Sequence, residues 1–89
     1  MSFDKTAFEK AVLLSAINNS DQKNMMSDDL LREFLGNYER EDIRKSLDHL
    51  HAMGLIEEST YRNGDGRYSV WAPVLTHSGE IAAEQLQGD

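Results

Sequence analysis

Cysteine is absent from this chain of 89 residues, and proline and tryptophan occur once each. Without cysteine, the chain can form no disulfide scaffold, no thiolate metal site and no thiol nucleophile. The longest apolar run, from Ala11 to Ile17, is far shorter than the roughly 20 residues that a membrane-spanning helix needs. The N-terminus does not place a basic segment before an apolar one, so we predict no signal peptide. We therefore expect a cytoplasmic protein that does not associate with membranes.

Positive charge is also scarce, because the formal net charge is -7. The acidic excess is spread along the chain: residues 1–36 sum to -2, residues 37–71 to -2 and residues 72–89 to -3. Residues 60–71 are an exception, with a local net charge of +1. An acidic surface attracts phosphate weakly as a whole, so any contact with nucleic acid must be made by a few local cations.

The length predicts one small domain covering residues 1–89. Hydrophobic residues make up 39% and charged residues 28% of the chain, as in ordinary globular proteins, so disorder is not indicated. A chain of this length buries only roughly 60–65% of its unfolded surface, so several short elements must share the core. We predict no internal repeat and no linker, and a frayed tail over residues 87–89.

Two helices are predicted in the first part of the chain. The first, over residues 4–19, has an apolar row at helical spacing, formed by Phe8, Ala11, Leu14 and Ile17 and broadened by Val12 and Leu13. The polar segment NSDQKN ends it, and a brief apolar step follows at Met25 and Met26.

The second helix begins after Ser27, which is a favoured N-cap residue, and carries two aspartates in its first turn, where the helix dipole favours them. Met26 and Leu31 fit a hydrophobic staple across this end. Its buried face is predicted to consist of Leu30, Leu31, Phe34 and Leu35. Gly36 with Asn37 is expected to end it.

A third helix is predicted from about Glu39 to Met53. Its apolar row is Ile43, Leu47, Leu50 and Met53. Gly54 suits the left-handed position that closes a helix.

A hairpin and a last helix follow. The first strand is predicted over residues 56–62, the tip is NGDG, and the return strand covers residues 67–72. Both Asn-Gly and Asp-Gly favour tight hairpins, so the register stays open. Pro73 is expected to close the return strand because it has no N–H to pair. Thr76 is the predicted N-cap of the last helix, Gly79 is expected to allow close packing of its first turn, and its apolar positions are Ile81, Ala82 and Leu86.

This order of elements resembles a winged helix-turn-helix domain of the bacterial and phage regulator type. Three stretches carry the resemblance: IRKSLDHLHAMGLIEE resembles a recognition helix leading into a wing strand, YRNGDGRYSVW resembles the wing, and LTHSGEIAAEQL resembles the helix after the wing. The similarity covers roughly Phe8 to Leu86. It implies an α+β, mainly helical fold with a three-helix core, a two-stranded wing over about residues 56–72 and a C-terminal helix.

The resemblance also implies a function, namely a small sequence-specific transcriptional regulator that binds double-stranded DNA. A recognition helix over about residues 39–53 would enter the major groove, and arginine is suited to bidentate pairing with guanine. We expect helix and wing to present their cations on one side of the molecule. The predicted DNA contacts are Arg40, Arg44 and Lys45 on the helix and Arg62, Asn63 and Arg67 in the wing, with accessory contacts from Tyr61 and Tyr68.

Several alternatives remain open on sequence grounds. The helix cations could form intrahelical pairs on a solvated face, such as Glu41 with Lys45 or Arg44 with Asp48. Cations on a hairpin can simply discourage edge pairing. Trp71 is expected in the core or in an interface.

The chain could also be an acidic winged-helix adaptor that binds a protein rather than DNA. Winged-helix regulators commonly form homodimers, so the last helix and the apolar part of the first could make a dimer interface, or they could only complete the core of a monomer.

No enzymatic chemistry is predicted. His49 and His51 lie two positions apart on a helix, about 200° around its axis, so they cannot share a metal ion, and His77 has no partner nearby in the sequence. The two glycines of the tip lie in a hairpin, not before a helix, so they do not form a phosphate-binding loop. We predict no catalytic residues, no metal site and no cofactor.

Overall fold

The computed structural model describes residues 3–88, and over this range the protein has four helices and a two-stranded antiparallel sheet. The elements are α1 Lys5–Ile17, α2 Asp28–Asn37, α3 Arg40–Ala52, β1 Thr60–Arg62, β2 Tyr68–Val70 and α4 His77–Gly88. The fold is therefore α+β and mainly helical, as predicted. Within residues 3–88, no helix is both long enough and apolar enough to cross a bilayer.

The first two helices begin at acidic or polar residues. The Asp4 carboxylate accepts a hydrogen bond from the Ala7 N–H at 3.1 Å and caps α1. Ser27 occupies the N-cap of α2 as predicted, but its side chain makes no capping hydrogen bond. α2 ends at Asn37, although not through a left-handed glycine: Gly36 stays helical, and the chain leaves in an extended conformation at Tyr38.

Gly54 closes α3 in the left-handed conformation that the sequence predicted, with φ of 76°. Its N–H donates to the His51 carbonyl at 2.9 Å, and the Leu55 N–H donates to the Leu50 carbonyl at 3.0 Å. This pair of bonds satisfies carbonyl groups that a helix end leaves without partners. It also turns the chain sharply toward the hairpin.

The core lies between α1, α3 and α4, with α2 covering one side. Its buried hydrophobic residues are Phe8, Val12, Leu13, Ala16, Met26, Leu31, Ile43, Leu47, Leu50, Ile56, Leu75 and Ala83. The predicted row of α3 is confirmed except at its end, because Met53 is 55% exposed.

The predicted apolar row of α1 is confirmed only in part. Val12, Leu13 and Ala16 are buried with Phe8, whereas Ala11, Leu14 and Ile17 are only half-buried. α1 is apolar around most of its circumference, and it packs against both α3 and α4. Its sequence period therefore did not single out one face.

The strands of the hairpin are shorter than predicted. Thr60 pairs with Val70, Tyr61 with Ser69 and Arg62 with Tyr68. The tip is a turn in which the Gly66 N–H donates to the Asn63 carbonyl at 3.0 Å and the Asn63 N–H donates to the Arg67 carbonyl at 2.7 Å. Gly66 has φ of 88°. The register of the two strands is therefore set by the turn that contains this glycine, and not by a two-residue Asn-Gly or Asp-Gly turn.

Pro73 interrupts the pairing of the two arms but does not end it. The Trp71 N–H donates to the Ser59 carbonyl at 2.6 Å, and pairing resumes where the Glu57 N–H donates to the Val74 carbonyl at 2.8 Å. Two residues separate Ile56 from Ser59, whereas three separate Trp71 from Leu75, the bridge partner of Ile56. The second arm therefore has one extra residue and forms a β-bulge. A bulge is a position at which an antiparallel pair of strands can accommodate a proline.

The arms continue into a small region of extended chain. Residues 73–75 lie between residues 24–26 and residues 55–57: the Met26 N–H donates to the Pro73 carbonyl at 2.9 Å, and the Leu75 N–H donates to the Asn24 carbonyl at 2.7 Å. The apolar step predicted at Met25 and Met26 is therefore the third extended segment of this region, and Met25 forms a β-bridge with Val74.

α4 docks on the turn that follows α3. The Thr76 hydroxyl accepts from the Gly79 N–H at 3.1 Å, which confirms Thr76 as the N-cap, and donates to the Gly54 carbonyl. A Cβ at Gly79 would lie 1.8 Å from the Leu55 carbonyl oxygen, so the predicted close approach is confirmed.

The far end of α4 departs from the prediction. Gln87 and Gly88 are helical, not frayed, and the Gln87 amide donates to the Asn18 side chain at 2.7 Å; Asp89 lies outside the described residues. Ile81, predicted as an apolar contact, is 45% exposed, whereas Ala83 is fully buried.

Candidate functional site

The hairpin, defined here as residues 59–71, has two different faces. Because side chains alternate along a strand, Thr60, Arg62, Tyr68 and Val70 share one face, and Tyr61, Ser69 and Trp71 share the other. The first, called the inner face, contacts α3: the Thr60 hydroxyl donates to the Asp48 carboxylate at 3.1 Å. The second is called the outer face.

Two predicted contact residues meet on the inner face, at the Tyr68 ring. The Arg44 Cζ atom lies 4.6 Å from the ring centroid, and the Arg62 Cζ atom lies 5.8 Å from it. Both distances are within the range in which a guanidinium is attracted to an aromatic face. α3 and the hairpin therefore present Arg44 and Arg62 on the same side of the molecule.

Beside this point, an open cleft of about 500 Å³ separates the start of α3 from the hairpin tip. Its lining residues are Arg40, Glu41, Asn63, Arg67, Tyr68 and Ser69. The Arg40 guanidinium reaches across toward the Tyr68 carbonyl at 3.5 Å, a long and weak hydrogen bond. The Arg67 side chain is 86% exposed, and its nearest carboxylate, that of Asp65, is 3.9 Å away. Both arginines are available to a ligand in the cleft.

Arg44 is bound to two carboxylates. Its Nη2 and Nε donate to the two oxygens of Glu41 at 2.6 and 3.2 Å, and its Nη1 donates to Asp48 at 2.6 Å. The predicted pair of Arg44 with Asp48 is thus present. The pair predicted between Glu41 and Lys45 is replaced by Glu41 with Arg44, because Arg44 reaches the same carboxylate from three residues along the helix.

These contacts shift the ionisation of both partners. The hydrogen bond from Arg44 holds the pKa of the Glu41 carboxyl below its ordinary value, and the charges of Arg44, Lys45 and Arg62 act in the same direction. The hydrogen bond to Glu41 likewise raises the pKa of the Arg44 guanidinium. Glu41 is therefore firmly ionised at neutral pH and lies among the cations predicted to bind DNA.

Lys45 and Tyr61 lie apart from the cleft. Lys45 is exposed on α3, and within residues 3–88 it forms no ion pair. Tyr61 lies on the outer face, where its ring stacks on Trp71 with centroids 4.8 Å apart and planes 24° apart. Trp71 is 50% exposed and Tyr61 44%, so Trp71 is not in the core, and its place in an interface stays a prediction.

Three residues of the site were not among the predicted contacts to DNA, and they are acidic or small. Glu41 and Asp48 organise the cationic side, and Ser69 links the two arms through Asn63, whose side-chain amide donates to the Ser69 hydroxyl at 3.2 Å. The three- and four-residue spacings of Glu41 and Asp48 from Arg44 were a usable signal. Nothing in the sequence near Ser69 indicated its partner.

One of the three histidines joins two helices. The His49 Nδ1 atom lies 2.9 Å from the Glu9 carboxylate and so joins α3 to α1. Over the part of the chain that the structure describes, no three acidic or histidine side chains are grouped as metal ligands would be.

Comparison of the chain with protein-family models, with curated proteins and with solved structures found no match.

Proposed function

We propose that this chain is a winged helix-turn-helix domain that acts as a sequence-specific DNA-binding transcriptional regulator, with α3 as recognition helix and the hairpin as wing. The order of three helices, hairpin and closing helix is compatible with that layout. The function rests most on one observation: Arg40 from α3 and Arg67 with Asn63 from the hairpin line a single open cleft. Cations from two elements thus converge in a protein of net charge -7.

The charge distribution determines what kind of binding follows. Excess negative charge opposes attraction to random DNA, so the affinity depends on a correct site and on a few local cations. Arginine side chains at the cleft supply contacts to phosphate or to guanine edges. We therefore expect weak binding to random DNA and much tighter binding to a specific sequence.

The test is capture of genomic DNA fragments at low salt, followed by fluorescence anisotropy with a bound fragment. The double variant Arg62→Glu/Arg67→Glu should weaken binding at least about tenfold, since two phosphate contacts become repulsive. Lys5→Glu/Lys10→Glu is the control of equal charge change, because both lysines are exposed on α1, which does not line the cleft. If micromolar wild-type protein retains no fragment, or if both variants weaken binding equally, the proposal is wrong.

A second candidate function, an adaptor that binds a protein, is favoured by the outer face of the hairpin. A half-exposed tryptophan stacked on a half-exposed tyrosine is typical of protein interfaces, where both residue types are enriched. Purification of the chain with its partners from the native host, after nuclease treatment, separates the two functions. A stoichiometric protein partner that is lost with Tyr61→Ala or Trp71→Ala would support the adaptor.

A further inference from the structure

Arg44 has most of its hydrogen-bonding capacity engaged within the protein. Of the five N–H groups of a guanidinium, three donate to Glu41 and Asp48, two of them at 2.6 Å. One face of the group lies against the Tyr68 ring at 4.6 Å. Although Arg44 is on the solvent side of α3, its side chain is only 18% exposed.

These contacts conflict with a role in reading bases. Bidentate pairing with guanine needs two N–H groups directed at one base edge, and the Nε–Nη2 edge of Arg44 is already paired with Glu41. If Arg44 turned toward DNA, the carboxylates of Glu41 and Asp48 would lose a partner beside the phosphates. Their repulsion would oppose the contact that Arg44 gained.

The contacts of Arg44 and its partners also extend beyond α3, whereas ordinary ion pairs along a helix join only residues of that helix. Asp48 accepts from Arg44 through one oxygen and from Thr60, on the hairpin, through the other. Tyr68, also on the hairpin, packs against the guanidinium. One cation on α3 is therefore connected to both strands of the hairpin.

We propose that Arg44 is a positioning residue, which holds the hairpin against α3 and does not itself contact DNA. The contacts to DNA then fall to the other four cations of the site: Arg40, Lys45, Arg62 and Arg67. The part of this inference that concerns DNA rests on the proposed function. The part that concerns the hairpin can be tested without DNA.

Hydrogen exchange of the hairpin amides in the free protein tests the positioning role. The amides to follow are those of Asn63 and Trp71, which donate across the hairpin. In Arg44→Met and in Arg44→Lys they should exchange about tenfold faster, since neither side chain can bind two carboxylates and cover a ring as arginine does. Lys45→Met, at the neighbouring exposed position, should leave them unchanged. Unchanged exchange in Arg44→Met would overturn the proposal.

A substitution in the hairpin provides a second test, which is needed if Arg44→Met fails to fold. Tyr68→Leu should speed the same exchange, and the double variant with Arg44→Met should be little faster than either single one, because both remove one connection. Fully multiplicative effects would mean that the two residues act separately and would also overturn the proposal.

The salt dependence of binding to a captured fragment tests the absence of a DNA contact. Four cations give a slope of log K against log salt no steeper than about -3.6, at roughly -0.9 per phosphate contact. Arg44→Met should lower the affinity and keep the slope, whereas Lys45→Met should make the slope shallower by about 0.9. A slope that becomes shallower in Arg44→Met would show a direct contact and refute the proposal. If no fragment is captured, the proposed function fails, and hydrogen exchange alone decides whether Arg44 positions the hairpin.

Discussion

Glu41 is an acid where a DNA-binding surface would need cations, and its neighbours explain why it is tolerated. Its carboxylate is bound by Arg44 through two hydrogen bonds and is also attracted by Lys45 and Arg62. An ionised Glu41 therefore favours the folded arrangement of α3. The lowered pKa of its carboxyl is the sign of this coupling, because folding makes the charged form easier to keep.

The pH dependence of stability should reveal Glu41. A carboxyl with a lowered pKa stabilises the fold fully above its ordinary pKa of 4.5, and this contribution is lost as the pH falls through the lower folded value. In urea denaturation, Glu41→Gln should be less stable than wild type at pH 7, and the difference should shrink as the pH is lowered below 4.5. Glu84→Gln, at an exposed position of α4, is the control of equal charge change. A difference that stays constant down to acidic pH would contradict this assignment.

The packing of α4 on the turn after α3 depends on a glycine, Gly79, whose lack of a side chain allows a close approach. Thr76 joins the two segments by donating to the Gly54 carbonyl, and Gly79 lets the first turn of α4 approach the Leu55 backbone. This contact orients α4, which packs against α1 and buries Ala83. The turn at residues 54–56 also starts the first arm of the hairpin, so a disturbance here would displace both elements.

Gly79→Ala should destabilise the protein by about 2–3 kcal/mol or prevent folding, because its Cβ would collide with backbone that cannot move away as a side chain could. The matched change is Gly36→Ala in α2, where a Cβ meets nothing within 4 Å. It should raise stability by about 0.5–1 kcal/mol through helix propensity. Urea titrations of both variants provide the measurement. Equal effects of the two substitutions would show that the approach to Leu55 is not limiting.

Helices and their ends were largely predictable because their signals are local. Gly54 and Thr76 were recognised from residues within one turn, and both have the predicted role. The strands were less predictable, since a strand needs a partner far along the chain: both are three residues long, and the bulge after Trp71 had no local signal except Pro73. Candidate cations were found from the pattern, and so was the pair of Arg44 with Asp48, but the contact of Arg44 with Tyr68 was not.

For the molecule as a whole, the dominant electrostatic property is an acidic excess in a small volume. The net charge is -7, and the dimensions are 41 × 27 × 24 Å. At 0.01 M salt the Debye length is about 30 Å, comparable with these dimensions, so acidic groups on all sides repel one another. At 0.1 M it is about 10 Å, and only neighbours still interact.

Salt should therefore stabilise the free protein while it weakens any complex with DNA. We expect the melting temperature to rise by a few degrees between 0.01 and 0.1 M sodium chloride. In a domain of this size, such a rise corresponds to roughly a fraction of 1 kcal/mol in the free energy of unfolding. The triple variant Glu57→Gln/Glu58→Gln/Glu84→Gln, at exposed positions, should respond less. Calorimetry at the two salt concentrations measures both. A melting temperature that falls with salt would mean that local ion pairs such as Arg44 with Glu41 outweigh the general repulsion.

Short-range chemistry in the chain was sufficient to predict four helices, a glycine-closed α3, the cap at Thr76, the close approach at Gly79 and a hairpin with arginines beside its tip. Each depends on residues a few positions apart, whose relative geometry the backbone constrains. The face that α1 buries, the exposure of Trp71, the contact of Arg44 with Tyr68 and that of Asp48 with Thr60 depended on the packed molecule. They were decided there because each is a choice among neighbours that are brought together only when distant segments pack.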